Sequence, residues 1–211
     1  MQIGFSGLTA CVTGLLLLAS GTAFATSYVG FGGGLGSPQS SSAVTDVYLR
    51  DSDTWVVDSV GFDLGWLAEA QFGWEANAWM DFEGALRFHK FYRETGTVPD
   101  PKHPRVDGFS LVGFEGGLRL RTQRGFTNTV PYIRGGVGSY SPSVDYDNGQ
   151  SVSNVTLIGY YVGVGYIQEI NSKIGMDIRV TWINFDAFDR SRHGVELQSN
   201  FFAIALSLVV F

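Results

Sequence analysis

The stretch "AWMDFEGALRFHKFY", residues 78–92, places Met80, Phe82, Leu86 and Phe88 at even positions and Asp81, Glu83, Arg87 and His89 at odd ones. Side chains of an extended strand point alternately to opposite faces, so this segment reads as a strand with one apolar face and one face carrying both signs of charge. Which face turns inward separates a water-soluble barrel from one embedded in lipid.

The alternation recurs along the chain. Phe62, Leu64, Trp66, Ala68, Ala70, Phe72 and Trp74 alternate with Asp63, Gly65, Leu67, Glu69, Gln71 and Gly73. Farther on, Val112, Phe114, Leu118 and Leu120 alternate with Gly113, Glu115, Gly117, Arg119 and Arg121, and Ile174, Met176, Ile178, Val180 and Trp182 with Gly175, Asp177, Arg179 and Thr181. Taken together the runs predict eight strands, at about 27–36, 58–74, 78–92, 108–121, 130–140, 155–167, 174–184 and 197–211. Long polar connections alternate with short ones near "EAN", "TQRGFTNT" and "QEINSK", which puts the long and short ends on opposite sides.

Composition agrees with many glycine-punctuated strands. The 211 residues include 28 Gly, are 45% hydrophobic and only 16% charged, and suit one domain. A net charge of -6 lacks the basic footprint that neutralising phosphates requires, so nucleic acid is excluded as a partner. The opening residues run through an apolar segment, Leu8 to Ala19, to the small-x-small triplet Ala23-Phe24-Ala25. This predicts a signal peptide over 1–25, cleaved after Ala25, and a single domain over 26–211. The sole cysteine, Cys11, lies in that leader, so the mature chain is expected to have neither disulfides nor thiol chemistry.

Three features favour the lipid-embedded arrangement. Phe62, Trp66, Phe72, Trp74, Phe82, Phe88, Phe114 and Trp182 together are more bulk than an eight-stranded interior holds. Glycines share the opposite face with long charged residues, as a narrow lumen requires. The long–short alternation of connections matches surface loops opposed to periplasmic turns. The segments "YVGFGGGLG" (28–36), "PYIRGGVGSY" (131–140) and "YYVGVGY" (160–166), together with the terminal Phe211, resemble the OmpA/OmpX-type eight-stranded outer-membrane β-barrel family over the whole mature chain. The resemblance implies an all-β, antiparallel up-and-down transmembrane barrel in the bacterial outer membrane. It also implies lipid and lipopolysaccharide as surroundings, Phe211 as a signal to the outer-membrane assembly machinery, and a non-enzymatic role in envelope integrity and surface contacts. Restricted passage of small solutes and an extracellular ligand at the long loops belong to the same expectation. "DIRVTWINFDAF" is similar to OmpW-type barrels, which implies passage of small apolar molecules as an alternative. In "FFAIALSLVVF", Phe202, Ile204, Leu206, Leu208 and Val210 share one face and Phe211 falls on the other, so the facing of this strand stays open.

With the apolar rows outward, Asp63, Glu69, Asp81, Glu83, Arg87, His89, Glu115, Arg119, Arg121, Arg134, Asp177 and Arg179 are expected to meet in the lumen. Buried charges are costly unless paired, so the mixed signs predict an ion-pair network, favoured as a plug over a gated water path. Tyr48, Trp55, Trp74, Trp79, Tyr92, Tyr132 and Tyr140 are candidates for the interfacial aromatic belt. Other chemistry is sparse. His89 is read as a structural partner rather than a base. Ser191-Arg192-His193 offers the ingredients of a lipid A-modifying enzyme without the motif of either such family. Asp145 to Gly149 lacks the bidentate glutamate of a calcium loop, and "GFGGGLG" has no following helix for a dinucleotide. No catalytic, metal or cofactor residues are assigned.

Overall fold

The computed structural model describes residues 27–38, 43–49, 54–60, 62–93, 106–122, 128–146, 151–152, 156–185, 195–196 and 200–211. The leader reading therefore lies outside the described residues. The strands are β1 (Ser27–Pro38), β2 (Ala43–Leu49), β3 (Thr54–Val60), β4 (Gly65–Asn77), β5 (Met80–Tyr92), β6 (Val106–Arg121), β7 (Thr129–Tyr146), β8 (Ser151–Val152), β9 (Leu157–Glu169), β10 (Ile174–Phe185), β11 (Val195–Glu196) and β12 (Asn200–Val210). β1, β4, β5, β6, β7, β9, β10 and β12 are each paired antiparallel to two neighbours, and pairing of β1 with β12 and of β6 with β7 leaves this ring of strands without an edge. β2, β3 and β11 form a separate sheet at the long-loop end, and β8 extends one margin of β7.

Register fixes the tilt. A row of paired residues runs from Val210 through Val29, Phe72, Gly84, Gly116, Val137, Tyr160 and Asn184, and returns to β12 at Asn200. One circuit thus climbs ten residues along β12, from position 210 to position 200. With a rise of about 3.3 Å per residue and strands about 4.8 Å apart, the strands tilt by about 41° and the climb spans about 25 Å. That is the height of the apolar band of an outer-membrane barrel.

The outer wall is built of alternate apolar residues, odd-numbered on β1 and β7 and even-numbered on the other barrel strands. Phe31, Leu35, Trp66, Phe82, Leu86, Phe114, Val137, Val162, Ile204 and Leu206 are all exposed. Trp74, Trp79, Phe82 and Tyr166 mark the short-turn end of this wall, and Trp66, Tyr160 and Phe202 its loop end. Aromatic rings are amphipathic enough to sit at membrane interfaces, which accounts for two girdles bounding an aliphatic middle. A wall of this kind, on a closed barrel whose backbone groups are paired, is solvated by lipid rather than water.

Several expectations are corrected. The strand expected over 58–74 is two, because β3 belongs to the outer sheet and the barrel strand starts only at Gly65. Phe62, expected on the lipid face, instead packs on Phe109 with ring centroids 5.9 Å apart, since it precedes the strand and is free of its alternation. Tyr132 and Tyr140, placed in the belt by their nearness to strand ends, are buried inside, because they share the parity of Arg134. The side chains of Tyr48 and Trp55 lie outside the described residues. The last strand alternates strictly, with Phe201, Ala203, Ala205, Ser207 and Val209 buried and the residues between them exposed. β7 runs beyond 140 to Tyr146, its outward Ser139 and Ser141 replacing the apolar residues below them.

A charge at the centre of the outer wall should be costly in proportion to depth. Leu206→Arg is expected to lower unfolding free energy in phospholipid by about 2–4 kcal/mol, and Trp79→Arg, in the short turn, by about 1 kcal/mol or less. Urea titration of lipid-folded protein measures both. Equal costs would show that the apolar wall does not face the bilayer.

Candidate functional site

Inside the wall the odd-numbered residues of β4, β5, β6 and β10, and the even-numbered residues of β7, point toward one another. Five carboxylates (Glu69, Asp81, Glu83, Glu115, Asp177) and five guanidinium groups (Arg87, Arg119, Arg121, Arg134, Arg179) are buried there. The signs balance, which is the condition for holding such groups out of water.

Eight of the ten form a closed alternating circuit. Arg87 Nε lies 3.3 Å from Glu69 Oε2, and Arg87 Nη1 donates to Glu115 Oε1 at 3.2 Å. Arg134 Nη2 donates to Glu115 Oε2 at 3.2 Å, and Arg134 Nε lies 2.7 Å from Glu83 Oε1. Arg119 Nε donates to Glu83 Oε2 at 3.2 Å and Arg119 Nη2 to Asp177 Oδ2 at 3.4 Å. Arg179 closes the circuit, donating through Nη1 to Asp177 Oδ2 at 3.1 Å and through Nη2 to Glu69 Oε1. The two Nε links, Arg87 to Glu69 and Arg134 to Glu83, are charge contacts without aligned hydrogen bonds.

Every carboxylate of the ring also accepts a bond from a neutral hydroxyl. Ser207 Oγ donates to Glu69, Tyr161 to Glu83 at 3.1 Å, Tyr140 to Glu115 at 3.0 Å and Tyr132 to Asp177 at 2.5 Å. Gln71 accepts from Arg119 and Arg179 and donates to Asp177. The Arg119 guanidinium sits between Tyr28 and Tyr132, 5.0 and 4.2 Å from their ring centres, and that of Arg134 lies 4.5 Å over Tyr161. Such stacking satisfies the guanidinium faces while the edges bind carboxylates.

Below the ring, at the short-turn end, Arg121 bonds Asp81 at 2.9 and 3.1 Å and pairs with Glu75 at 2.9 Å. Val130, Tyr132 and Ile167 cluster there with Phe211. Above it, at the loop end, Phe91, Phe109, Leu111, Tyr140, Ile183, Phe185 and Phe201 form a continuous apolar tier. Phe91 stacks on Phe109 at 5.3 Å and meets Phe201 edge-on at 5.7 Å. The lumen is therefore filled in two registers, ionic below and aromatic above.

Of the residues expected in the network, ten are the buried carboxylates and guanidinium groups already named. His89 is buried too, but both ring nitrogens lack hydrogen bonds within the described residues. It stacks on Phe91 and lies edge-on to Phe201 at 4.8 Å, so it belongs to the aromatic tier. Asp63 is not brought in. It is exposed and precedes β4, with its backbone N–H donating to the Tyr92 carbonyl. Gln71, Ser207 and the tyrosines were missed because charge was the criterion, although their positions share the parity of the charged residues. The same parity marks Phe91, Phe109, Leu111, Ile183 and Phe185.

Chemistry has little to work with. Among the described residues no group of His, Asp and Glu is arranged to hold a metal. Ser191, Arg192, His193 and His103 lie outside the described residues, as do positions 147–149 of the calcium-like stretch.

No protein-family model matches the sequence, and no curated relative does. Solved structures do. Neisserial surface protein A has a TM-score of 0.60 at 15% identity, covering 89% of this chain and 99% of that one. The outer membrane protein OprG of Pseudomonas aeruginosa has a TM-score of 0.52 at 12% identity, covering 87% of this chain and 95% of that one. The fold is that of an eight-stranded outer-membrane β-barrel. At such identities the likeness speaks for architecture alone.

Removing one ring member strands its partners. Arg134→Met leaves Glu83 and Glu115 each short of a cation and should cost about 3–5 kcal/mol. Ser207→Ala, which removes one hydrogen bond to the Glu69 carboxylate while its two arginine partners stay, should cost less, about 1.5 kcal/mol. Unfolding in lipid, followed by heat-dependent gel migration and urea titration, measures both. Similar small losses would mean that the ring charges are not mutually dependent.

Proposed function

We propose that the protein is a non-enzymatic structural barrel of the outer membrane, serving envelope integrity and presenting its long loops for contact at the cell surface. The observation that carries this reading is the filled lumen, in which a neutral ionic ring lies beneath an aromatic tier drawn from β5, β6, β7, β10 and β12. Side chains nearly fill an eight-stranded interior, and here the bulky ones meet across the axis. A catalytic role for His89 has no support in its geometry: its ring lies between Phe91 and Phe201, and neither ring nitrogen makes a hydrogen bond to an orienting group among the described residues. Outward residues take lipid and lipopolysaccharide as partners, and Phe211, at the end of β12, is the residue offered to the assembly machinery.

Two alternatives remain distinct from this reading: restricted or lateral passage of small solutes, and lipid A modification at the loops. The purified barrel should be silent in planar bilayers, and a strain lacking it should become sensitive to detergent without a change in lipid A acylation. Stepwise conductance would replace the structural reading with a channel, and altered acylation would replace it with an enzyme. Deleting Phe211 should lower the amount of heat-modifiable barrel in membranes; unchanged levels would remove its assembly role.

A further inference from the structure

β1 gives the charged ring no member and no hydroxyl donor, yet the ring crosses it. In the sheet order β1 stands between β4 and β12, and the barrel closes where β1 pairs with β12. Four polar links nonetheless run from β4 to the far side, one of them from Arg179 Nη1 to Gln71 Oε1. Ser207 of β12 and Arg179 of β10 both donate to Glu69 Oε1, and Gln71 Nε2 donates to Asp177 Oδ2 at 3.0 Å. The registers align them, because Gly32 pairs with Ser207 on one side and with Glu69 on the other, and Asp177 pairs with Ser207 in turn.

Glycine makes the crossing possible. A Cβ on Gly32 would stand 2.3 Å from Ser207 Oγ, and one on Gly30 would stand 2.7 Å from Gln71 Nε2. Either atom would occupy the path of the link. The inward positions of β1 above Tyr28 are Gly30, Gly32, Gly34 and Gly36, so this strand has no inward side chain of its own over that length. β4 and β12 are two strand spacings apart, about 9.6 Å, a gap that facing polar side chains span only when nothing rises between them.

We propose that Gly30 and Gly32 form a side-chain-free window through which β4 is latched to β12 and β10, and that this latch, centred on Glu69, holds the junction between the first and last barrel strands shut. β1 is then gripped by the fixed distance between its neighbours as well as by its own backbone bonds. A second set of contacts, Arg134 with Glu83 and Glu115, ties β5, β6 and β7 on the other side of the barrel and serves as an internal reference.

Amide hydrogen exchange on the chain folded in lipid tests the latch. Glu69→Gln should speed exchange of the amides from Gly30 to Gly36 and from Ala203 to Val209 at least tenfold. Amides from Phe114 to Leu118 and from Ile133 to Val137 should change less than twofold. Arg134→Gln should give the opposite pattern. Gly30→Ala should speed the same junction amides about threefold, since the atoms its Cβ meets belong to the Gln71 side chain, whereas a Cβ on Gly32 would also stand 2.2 Å from the Leu206 carbonyl oxygen and push on β12 directly. Where either variant fails to fold, Ser207→Ala removes only the hydroxyl and should speed the same junction amides about threefold. Uniform acceleration, or a protected junction in the Glu69, Gly30 or Ser207 variants, would overturn the latch. The silent bilayer expected of the wild-type barrel is a separate readout.

Discussion

A closed barrel in lipid has to neutralise its interior with its own side chains. The charged ring is this protein's solution: four carboxylates and four guanidinium groups alternate in a circuit, with each carboxylate also taking a hydroxyl. The ring depends on the tilt. Because a row climbs ten residues in one turn, residues far apart along their own strands come to the same level, as Arg134 of β7 and Arg179 of β10 do. A slip of one residue in any pairing would send Leu86 or Phe114 into the lumen and Glu83 or Arg119 into lipid. The balance of charge and the register of the strands are therefore a single constraint.

Much of this architecture was legible in residues 78–92. Alternation identifies the strand, and the bulk of the even-numbered aromatic residues turns them outward. What alternation does not reveal is which inward residues are polar for a reason and which are apolar for one. Phe91 and His89 share a face with Glu83 and Arg87, and only the climb of the rows separates an aromatic tier from an ionic one. Asp63 was misplaced because alternation was extended past the start of the strand, where the pairing with the β5 side shifts by one residue, Phe62 lying opposite Arg93, and facing changes. Tyr132 and Tyr140 were misplaced for the converse reason, when proximity to a strand end was weighed above parity. The run "GFGGGLG" shows in the sequence only as a glycine-rich strand without the helix of a dinucleotide site; that its glycines clear a path between other strands depends on knowing what flanks β1.

The stacking of the two tiers follows from the dielectric. Ion pairs weaken when water competes for their partners, and an aromatic tier keeps water from the loop side of the ring. Phe91, Phe109, Phe185 and Phe201 close that end over the ring, and Tyr140 belongs to both tiers, its ring in the apolar cluster and its hydroxyl on Glu115. At the opposite end Tyr28 and Tyr132 cover Arg119 from two sides. The ring is thus held between aromatic surfaces that keep its contacts strong, an arrangement suited to rigidity. On the proposed reading, an interior committed to rigidity leaves recognition to what projects beyond it, and the strands that carry the aromatic tier, β5, β6, β7, β10 and β12, all run into long connections. Tight packing at their ends gives those connections a fixed base, which is the contribution such a barrel makes to whatever the loops contact.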